Sequence, residues 1–88
     1  MLGVPVLMMY READQFWYLT TAQPGSDDHT LVWAEPVRVV QGRKAQAHLH
    51  CDRSQQFWFY YVNLEGDVCA LICRALKVTT AEGTWEDA

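Results

Sequence analysis

The sequence predicts an all-β domain of about six antiparallel strands, arranged as a small barrel or as a twisted two-layer sheet. Three observations predict this class: apolar residues alternate with a period of two, two segments are dense in aromatic and β-branched residues, and turn-forming clusters separate the segments. A chain of 88 residues has the length of one domain. We assign residues 1–80 to that domain and residues 81–88 to an acidic tail that is expected to fray.

The first half of the chain contains three predicted strands. Apolar residues alternate over residues 4–10, and after a short polar break residues 15–21 are rich in aromatic and β-branched types. Residues 23–28 form a loop of turn-forming types. Residues 30–41 are predicted to be extended, but Pro36 cannot donate to a strand ladder, so this strand lies at an edge or is broken by a bulge.

The second half repeats this order of elements. Residues 44–51 alternate between apolar and polar types, which is typical of a half-buried antiparallel strand, and residues 56–62 form a second aromatic strand. Residues 68–79 are predicted as the last strand. The apolar residues of 68–78 also fit helical spacing, which leaves an alternative α+β fold with this helix packed on the sheet.

Two nearly identical tetrapeptides suggest an internal repeat. Gln-Phe-Trp-Tyr at 15–18 and Gln-Phe-Trp-Phe at 56–59 are offset by 41 positions, and apolar residues on both sides follow the same offset. A duplication predicts two three-stranded meanders related by a pseudo-twofold axis. Chance similarity between two β-rich segments is the other interpretation, and both stay open.

Charge and cysteine content favour a cytoplasmic protein without a membrane segment. The formal net charge is −4, which disfavours binding to duplex nucleic acid. The three cysteines, Cys51, Cys69 and Cys73, form an odd number without repeated spacing, as expected in a reducing compartment. The apolar opening at 1–9 has no basic region and no cleavage site, so we expect a first strand there and not a signal peptide.

The sequence offers one weak metal motif. His48 and His50 lie on one face of a predicted strand, and imidazole is a ligand for zinc, copper, iron and nickel. A third ligand would have to be His29, Glu35 or Asp52, and nothing in the sequence places any of them nearby. A solvated histidine pair is therefore favoured, and we predict neither a metal nor a cofactor.

Catalysis is not predicted. The sequence contains no glycine-rich phosphate loop, Walker-type lysine or nucleophile elbow. Paired carboxylates occur at Asp27-Asp28 and at Glu86-Asp87, where a loop and a tail account for them. We therefore expect that the protein is not an enzyme.

The most informative feature is that both aromatic strands are apolar on both faces. A single sheet or small barrel has one interior, so one row of large side chains remains to be covered. A helix formed by residues 68–78, a second copy of the chain, or an apolar or aromatic ligand in a cleft could each cover that row.

These observations predict a non-catalytic binding or assembly module that forms a homodimer through its aromatic strands. The first alternative is a small-molecule site, with or without a metal on the two histidines. The second, less favoured, is single-stranded nucleic-acid binding by stacking beside the basic residues Arg38, Arg43, Lys44 and Arg53. The predicted contact residues are Trp17, Trp58, Tyr60 and Trp33, with Trp85 as a weaker candidate.

Overall fold

The computed structural model describes residues 4–27 and 29–88, and these residues form eight β-strands and no helix. Two four-stranded antiparallel sheets contain all the strands, so the predicted all-β class is confirmed. The expectations for residues 1–3 and Asp28 lie outside the described residues. The strands are β1 (Val6–Arg11), β2 (Phe16–Pro24), β3 (Leu31–Trp33), β4 (Val37–Gln41), β5 (His48–Cys51), β6 (Phe57–Val62), β7 (Val68–Cys73) and β8 (Trp85–Asp87).

The first sheet has the long strand β2 at its centre. β1 pairs with one edge of β2, and both β3 and β4 pair with the other edge. The predicted long strand 30–41 is therefore divided in two around Pro36, as its missing N–H group requires. A register shift between Trp17 and Tyr18 in the β2–β4 ladder adds a bulge at this edge.

The second sheet follows chain order, β5-β6-β7-β8. Residues 68–78 do not form a helix: β7 is a strand that pairs with β6 and ends at Cys73, earlier than predicted. The expectation that residues 81–88 fray is corrected, because β8 pairs with the free edge of β7. Trp85 at the start of β8 packs against the core, and the burial of its apolar surface stabilises the pairing of the C-terminal segment.

The two sheets pack against each other and do not close into a barrel. Phe59, Tyr61 and Leu71 of the second sheet form the buried centre, and Met8 and Trp17 of the first sheet pack on it. The ring centroids of Trp17 and Phe59 lie 5.4 Å apart in an edge-on arrangement. Of the two predicted architectures, the two-layer sheet is therefore the one observed.

Two connections join the layers. The chain passes from the first sheet to the second at Gly42, whose carbonyl accepts a hydrogen bond from the Tyr10 hydroxyl at 2.9 Å. The following N–H, of Arg43, donates to the carbonyl of Val62 at 2.8 Å. The turn segment after β7 returns to the first sheet, where the carbonyl of Val78 accepts a hydrogen bond from the buried Thr21 hydroxyl at 2.6 Å.

Each sheet contains a three-stranded meander with an aromatic strand at its centre, but the 41-residue echo does not match in side-chain orientation. The echo aligns Trp17 with Trp58, yet Trp17 faces the opposite sheet whereas Trp58 alternates with the inward-facing Phe59. The loop between β1 and β2 has four residues, 12–15. The loop between β5 and β6 has three, 53–55, because the Asp52 N–H donates to the Gln56 carbonyl and extends the hairpin by one pair. A difference of one residue places the aligned side chains on opposite faces.

Candidate functional site

The outer face of the second sheet carries the exposed aromatic surface that the sequence predicts. Trp58 and Tyr60 on β6 alternate with the buried Phe59 and Tyr61, so they point away from the core. Strand pairing places His50 opposite Trp58 and His48 opposite Tyr60 on β5, and Ala70 opposite Tyr60 on β7. We call this surface the outer face; by strand pairing it comprises His48, His50, Trp58, Tyr60, Val62, Val68, Ala70, Ile72 and Glu86.

This face is open to solvent around Tyr60 and Val68, whereas Ile72 on the same face is 4 % exposed. Tyr60 retains 41 % of its accessible surface and Val68 retains 79 %, which are high values for large apolar side chains. A groove of about 460 Å³ runs along the same end of the sheet. Its lining contains no side chain with a formal charge when histidine is neutral, and consists of Gln46, Ala47, His48, Tyr60, Tyr61, Val62 and Val68.

Trp58 is held in place by the turn that precedes its strand. Its indole Nε1–H donates to a carboxylate oxygen of Asp52 at 2.9 Å. The other oxygen of that carboxylate accepts the backbone N–H groups of Ser54 and Gln56, each at 2.9 Å. The hydrogen bonds from Trp58 and Gln56 lower the pKa of the Asp52 carboxyl below its usual value. This role of Asp52 was not predicted from the sequence, although an aspartate at the start of a short hairpin turn is a signal for it.

The two histidines lie side by side on the outer face. The ring centroids of His48 and His50 are 6.3 Å apart with nearly parallel planes, and the His48 ring is 6.4 Å from that of Tyr60. Across the described residues, no group of three or more histidine, cysteine, aspartate or glutamate side chains is placed to hold a metal ion. Asp52, one of the third ligands considered, already accepts three hydrogen bonds.

The other predicted contact residues lie elsewhere. Trp17 lies between the sheets, with its ring 4.9 Å from that of Tyr10, so it is not part of the surface that contains Trp58. Trp33 is 46 % exposed on β3, in the first sheet. Trp85 begins β8 and packs against the core. The structure therefore brings together Trp58 and Tyr60 and separates them from the other tryptophans.

The basic residues of the middle segment mostly bind acceptors within the chain. Arg38 donates to the carboxylate of Asp14 at 2.9 Å and stacks over the Phe16 ring on the outer side of the first sheet. Arg43 donates to a backbone carbonyl at 3.1 Å, and Lys44 forms an exposed ion pair with an acidic side chain at 3.3 Å. Arg53 is exposed in the β5–β6 turn. These residues are not grouped on the outer face.

The cysteines are all free, and their environments differ. Cys73 is completely buried, and this burial raises the pKa of its thiol, as in an inert structural cysteine. Cys69 is half-buried, while Cys51 is exposed at the end of β5.

The fold and the outer face define an antiparallel two-sheet β domain that exposes aromatic side chains on one layer. No known protein-family model matches the chain, and no curated protein or solved structure shows significant similarity to it. The described part of the chain has no helix with the length and apolar character needed to cross a membrane.

Proposed function

We propose that this chain is a non-catalytic assembly module that pairs with a second copy of itself through the outer face of its second sheet. The observation that supports this proposal is the exposure of Tyr60 and Val68 on the outer face, at 41 % and 79 % of their accessible surface. The helix that could have covered the aromatic surface is not formed, because residues 68–73 are strand β7. A second copy or a ligand remains as the cover.

A second copy fits the chemistry of this face. In a twofold interface the same patch meets itself, so it must tolerate its own charge pattern. The part of the face around Tyr60 and Val68 has no formally charged side chain and meets that condition, and Glu86 lies two strands away from Tyr60, on β8. A sheet face is also a favourable shape for this contact, since two sheets stack at about 10 Å.

The size of the face predicts a reversible dimer. The four strands lie about 4.8 Å apart and contain three to six residues each, so they present roughly 300 Å² per copy, or roughly 600 Å² for two copies. This area is below the roughly 1,000 Å² expected of a stable specific interface and is in the range of weak, transient contacts. We therefore expect a weak, concentration-dependent monomer–dimer equilibrium and not an obligate dimer.

The cytoplasm is the location we propose for this module. Support comes from the three free cysteines, of which Cys51 is exposed and unpaired.

The test is a matched pair of substitutions measured by sedimentation equilibrium over a range of concentrations. Val68→Arg places a charge on the outer face at a residue that is 79 % exposed, and Val32→Arg makes the same change at a 60 % exposed position on β3 of the other sheet. The wild type should approach twice the chain mass of 10.1 kDa at high concentration. Val68→Arg should weaken association by about tenfold or more, since an unpaired charge enters a desolvated contact.

The control variant should associate like the wild type. A wild-type chain that stays monomeric at millimolar concentration would falsify the proposal. Equal weakening by both substitutions would also reject it, because the contact would then not be specific to the outer face.

A further inference from the structure

The two histidines of the outer face form a pair that no acidic side chain holds. His48 and His50 alternate with Leu49 on β5, so both side chains stand on the same side of the sheet, and both are exposed. The carboxylate of the nearby Asp52 accepts its hydrogen bonds from other groups. The ion pairs of the described residues involve no histidine. Both imidazoles can therefore bind a ligand from outside the chain.

The spacing of the two rings fits a shared metal ion. Imidazole nitrogens bind zinc at about 2.0–2.1 Å in a tetrahedral arrangement. In this geometry, the centroids of two imidazoles on one zinc ion lie about 5 Å apart. The centroids of His48 and His50 are 6.3 Å apart, so the rings have to tilt and to approach each other by about 1 Å. Exposed side chains make such movements readily by rotation about their χ angles.

One chain supplies half of a tetrahedral site. A closed zinc site has four protein ligands, whereas the described part of the chain has no cluster of three or more residues that could hold a metal ion. Cys51 follows His50 on β5, and its side chain alternates to the other side of the strand. The two further ligands therefore have to come from a second chain.

The proposed contact between two outer faces provides these ligands. Two stacked sheets lie about 10 Å apart, so an ion midway between them is about 5 Å from each sheet, which is within reach of a histidine side chain. A twofold axis beside β5 places the histidine pair of one copy opposite the same pair of the other copy. The two pairs together complete a tetrahedral set of four imidazoles.

We infer that the outer face binds one zinc ion between two copies of the chain, with His48 and His50 of each copy as its ligands. This inference rests on the proposed self-association and adds a metal ion that strengthens it. Two chains of net charge −4 repel each other, and a divalent cation between them reduces that repulsion.

Sedimentation equilibrium in EDTA and in excess zinc chloride tests the inference. In EDTA the wild type should show the weak metal-free association proposed above. In zinc its dimer dissociation constant should fall by about tenfold or more, because an ion that binds the dimer shifts the equilibrium towards it. After dialysis, elemental analysis of the dimer should give about one zinc ion for every two chains.

Matched substitutions locate the site. His48→Gln and His50→Gln each remove one ligand per copy and should abolish the effect of zinc, while association in EDTA stays close to that of the wild type. His29→Gln, in the exposed turn before β3, should keep the full zinc effect. Cys51→Ser should also keep it, which separates the histidine site from metal binding by the exposed thiol.

Three outcomes would overturn the inference: a dissociation constant that zinc does not change, a zinc effect that persists without His48 or His50, or loss of the effect in Cys51→Ser or His29→Gln. Association in EDTA with no effect of zinc would reject the metal site alone and leave the self-association in place. A wild type that is monomeric in both solutions would reject both. Association in zinc alone, through the histidines, would support the metal site and reject the metal-free contact.

Discussion

Asp14 organises the outer side of the first sheet at the level of a single residue. Its carboxylate accepts hydrogen bonds from the Tyr18 hydroxyl, from Arg11 at 2.7 Å and from Arg38 at 2.9 Å, and it also accepts the backbone N–H of Phe16 at 3.2 Å. Partial desolvation raises the pKa of this carboxyl, but the hydrogen bonds from Tyr18 and Arg11 outweigh it and hold the pKa well below its usual range. The ionised form therefore stabilises the fold.

This shift predicts how the variant Asp14→Asn depends on pH. A carboxyl with a lowered pKa in the folded state stabilises the protein fully above its unfolded pKa of about 3.9, and loses that contribution progressively as the pH falls from this value towards the much lower pKa of the folded state. The variant should therefore melt below the wild type at pH 7, and the gap should narrow between about pH 5 and pH 2.5. Circular dichroism melts at several pH values measure it.

The control for this prediction is Asp67→Asn, which removes a carboxylate from the exposed β6–β7 turn. It should melt like the wild type at neutral pH. A melting difference for Asp14→Asn that is the same at pH 7 and pH 2.5 would contradict the assignment of the effect to the ionised carboxylate.

At the level of strands, the sequence predicts well which segments form strands and how their side chains alternate, but it does not predict which face of an aromatic strand is buried. The alternation in residues 44–51 correctly places His48 and His50 on one face. Both aromatic strands are apolar on each face, so periodicity cannot decide which row is buried. Trp17 and Trp58 are equivalent in the sequence, and the lengths of their hairpin loops place one inside and the other outside.

The two hairpins share a hydrogen-bonding arrangement that amino-acid composition does not predict. In each, an aspartate at the turn uses one oxygen to accept backbone N–H groups and the other to accept an outward-facing aromatic donor. Asp14 holds Tyr18 in this way, and Asp52 holds Trp58. The candidate site is thus partly predictable. Its aromatic residues can be identified from the sequence, but the aspartates that orient them are recognised only once the hairpins are folded.

The connection between the two sheets at Gly42 has no room for a side chain. A Cβ atom at Gly42 would lie 2.7 Å from the carbonyl oxygen of Val62 and 3.1 Å from the Tyr61 ring, so the backbone would have to shift. Gly42→Ala should therefore reduce the free energy of unfolding by about 1–3 kcal/mol, as overpacking does in other cores. Urea denaturation measures this change.

Gly25→Ala is the matched control for the junction. Its new Cβ would meet the hydroxyl of Thr30 first, which is the end of a side chain that can rotate away. The loss of stability should be smaller than at Gly42. Equal losses of unfolding free energy in the two variants would contradict this explanation, because close packing between the sheets would then not be the reason for glycine at position 42.

At the scale of the whole molecule, the two-layer arrangement determines which aromatic side chains are buried. The inward-facing rows of both aromatic strands pack against each other, whereas the sequence-based expectation assumed a single sheet with one buried face. The outer side of β2 is partly covered by arginine side chains, with Arg38 4.2 Å from the centroid of Phe16 and Arg11 5.0 Å from that of Tyr18. On the second sheet, Tyr60 retains 41 % of its accessible surface.

The net charge of −4 makes the proposed self-association depend on salt in a direction that distinguishes it from nucleic-acid binding. Two like-charged copies stacked along their shortest dimension, 19 Å, repel each other at low ionic strength. Screening should tighten the dimer by roughly tenfold between 10 mM and 150 mM salt, as a simple screened Coulomb estimate gives. Sedimentation equilibrium across this salt range measures the effect.

Binding to a single strand of nucleic acid has the opposite dependence, because phosphate contacts release counterions and weaken as salt rises. A titration with a fluorescent oligothymidine at 10 mM salt is therefore the companion measurement, and we expect it to be flat. A dimer that weakens as salt is added would contradict association through the apolar part of the outer face around Tyr60. It would mean that opposite charges hold the copies together, and the contact would have to be sought at Arg11, Arg38 or Arg53 instead of at Tyr60.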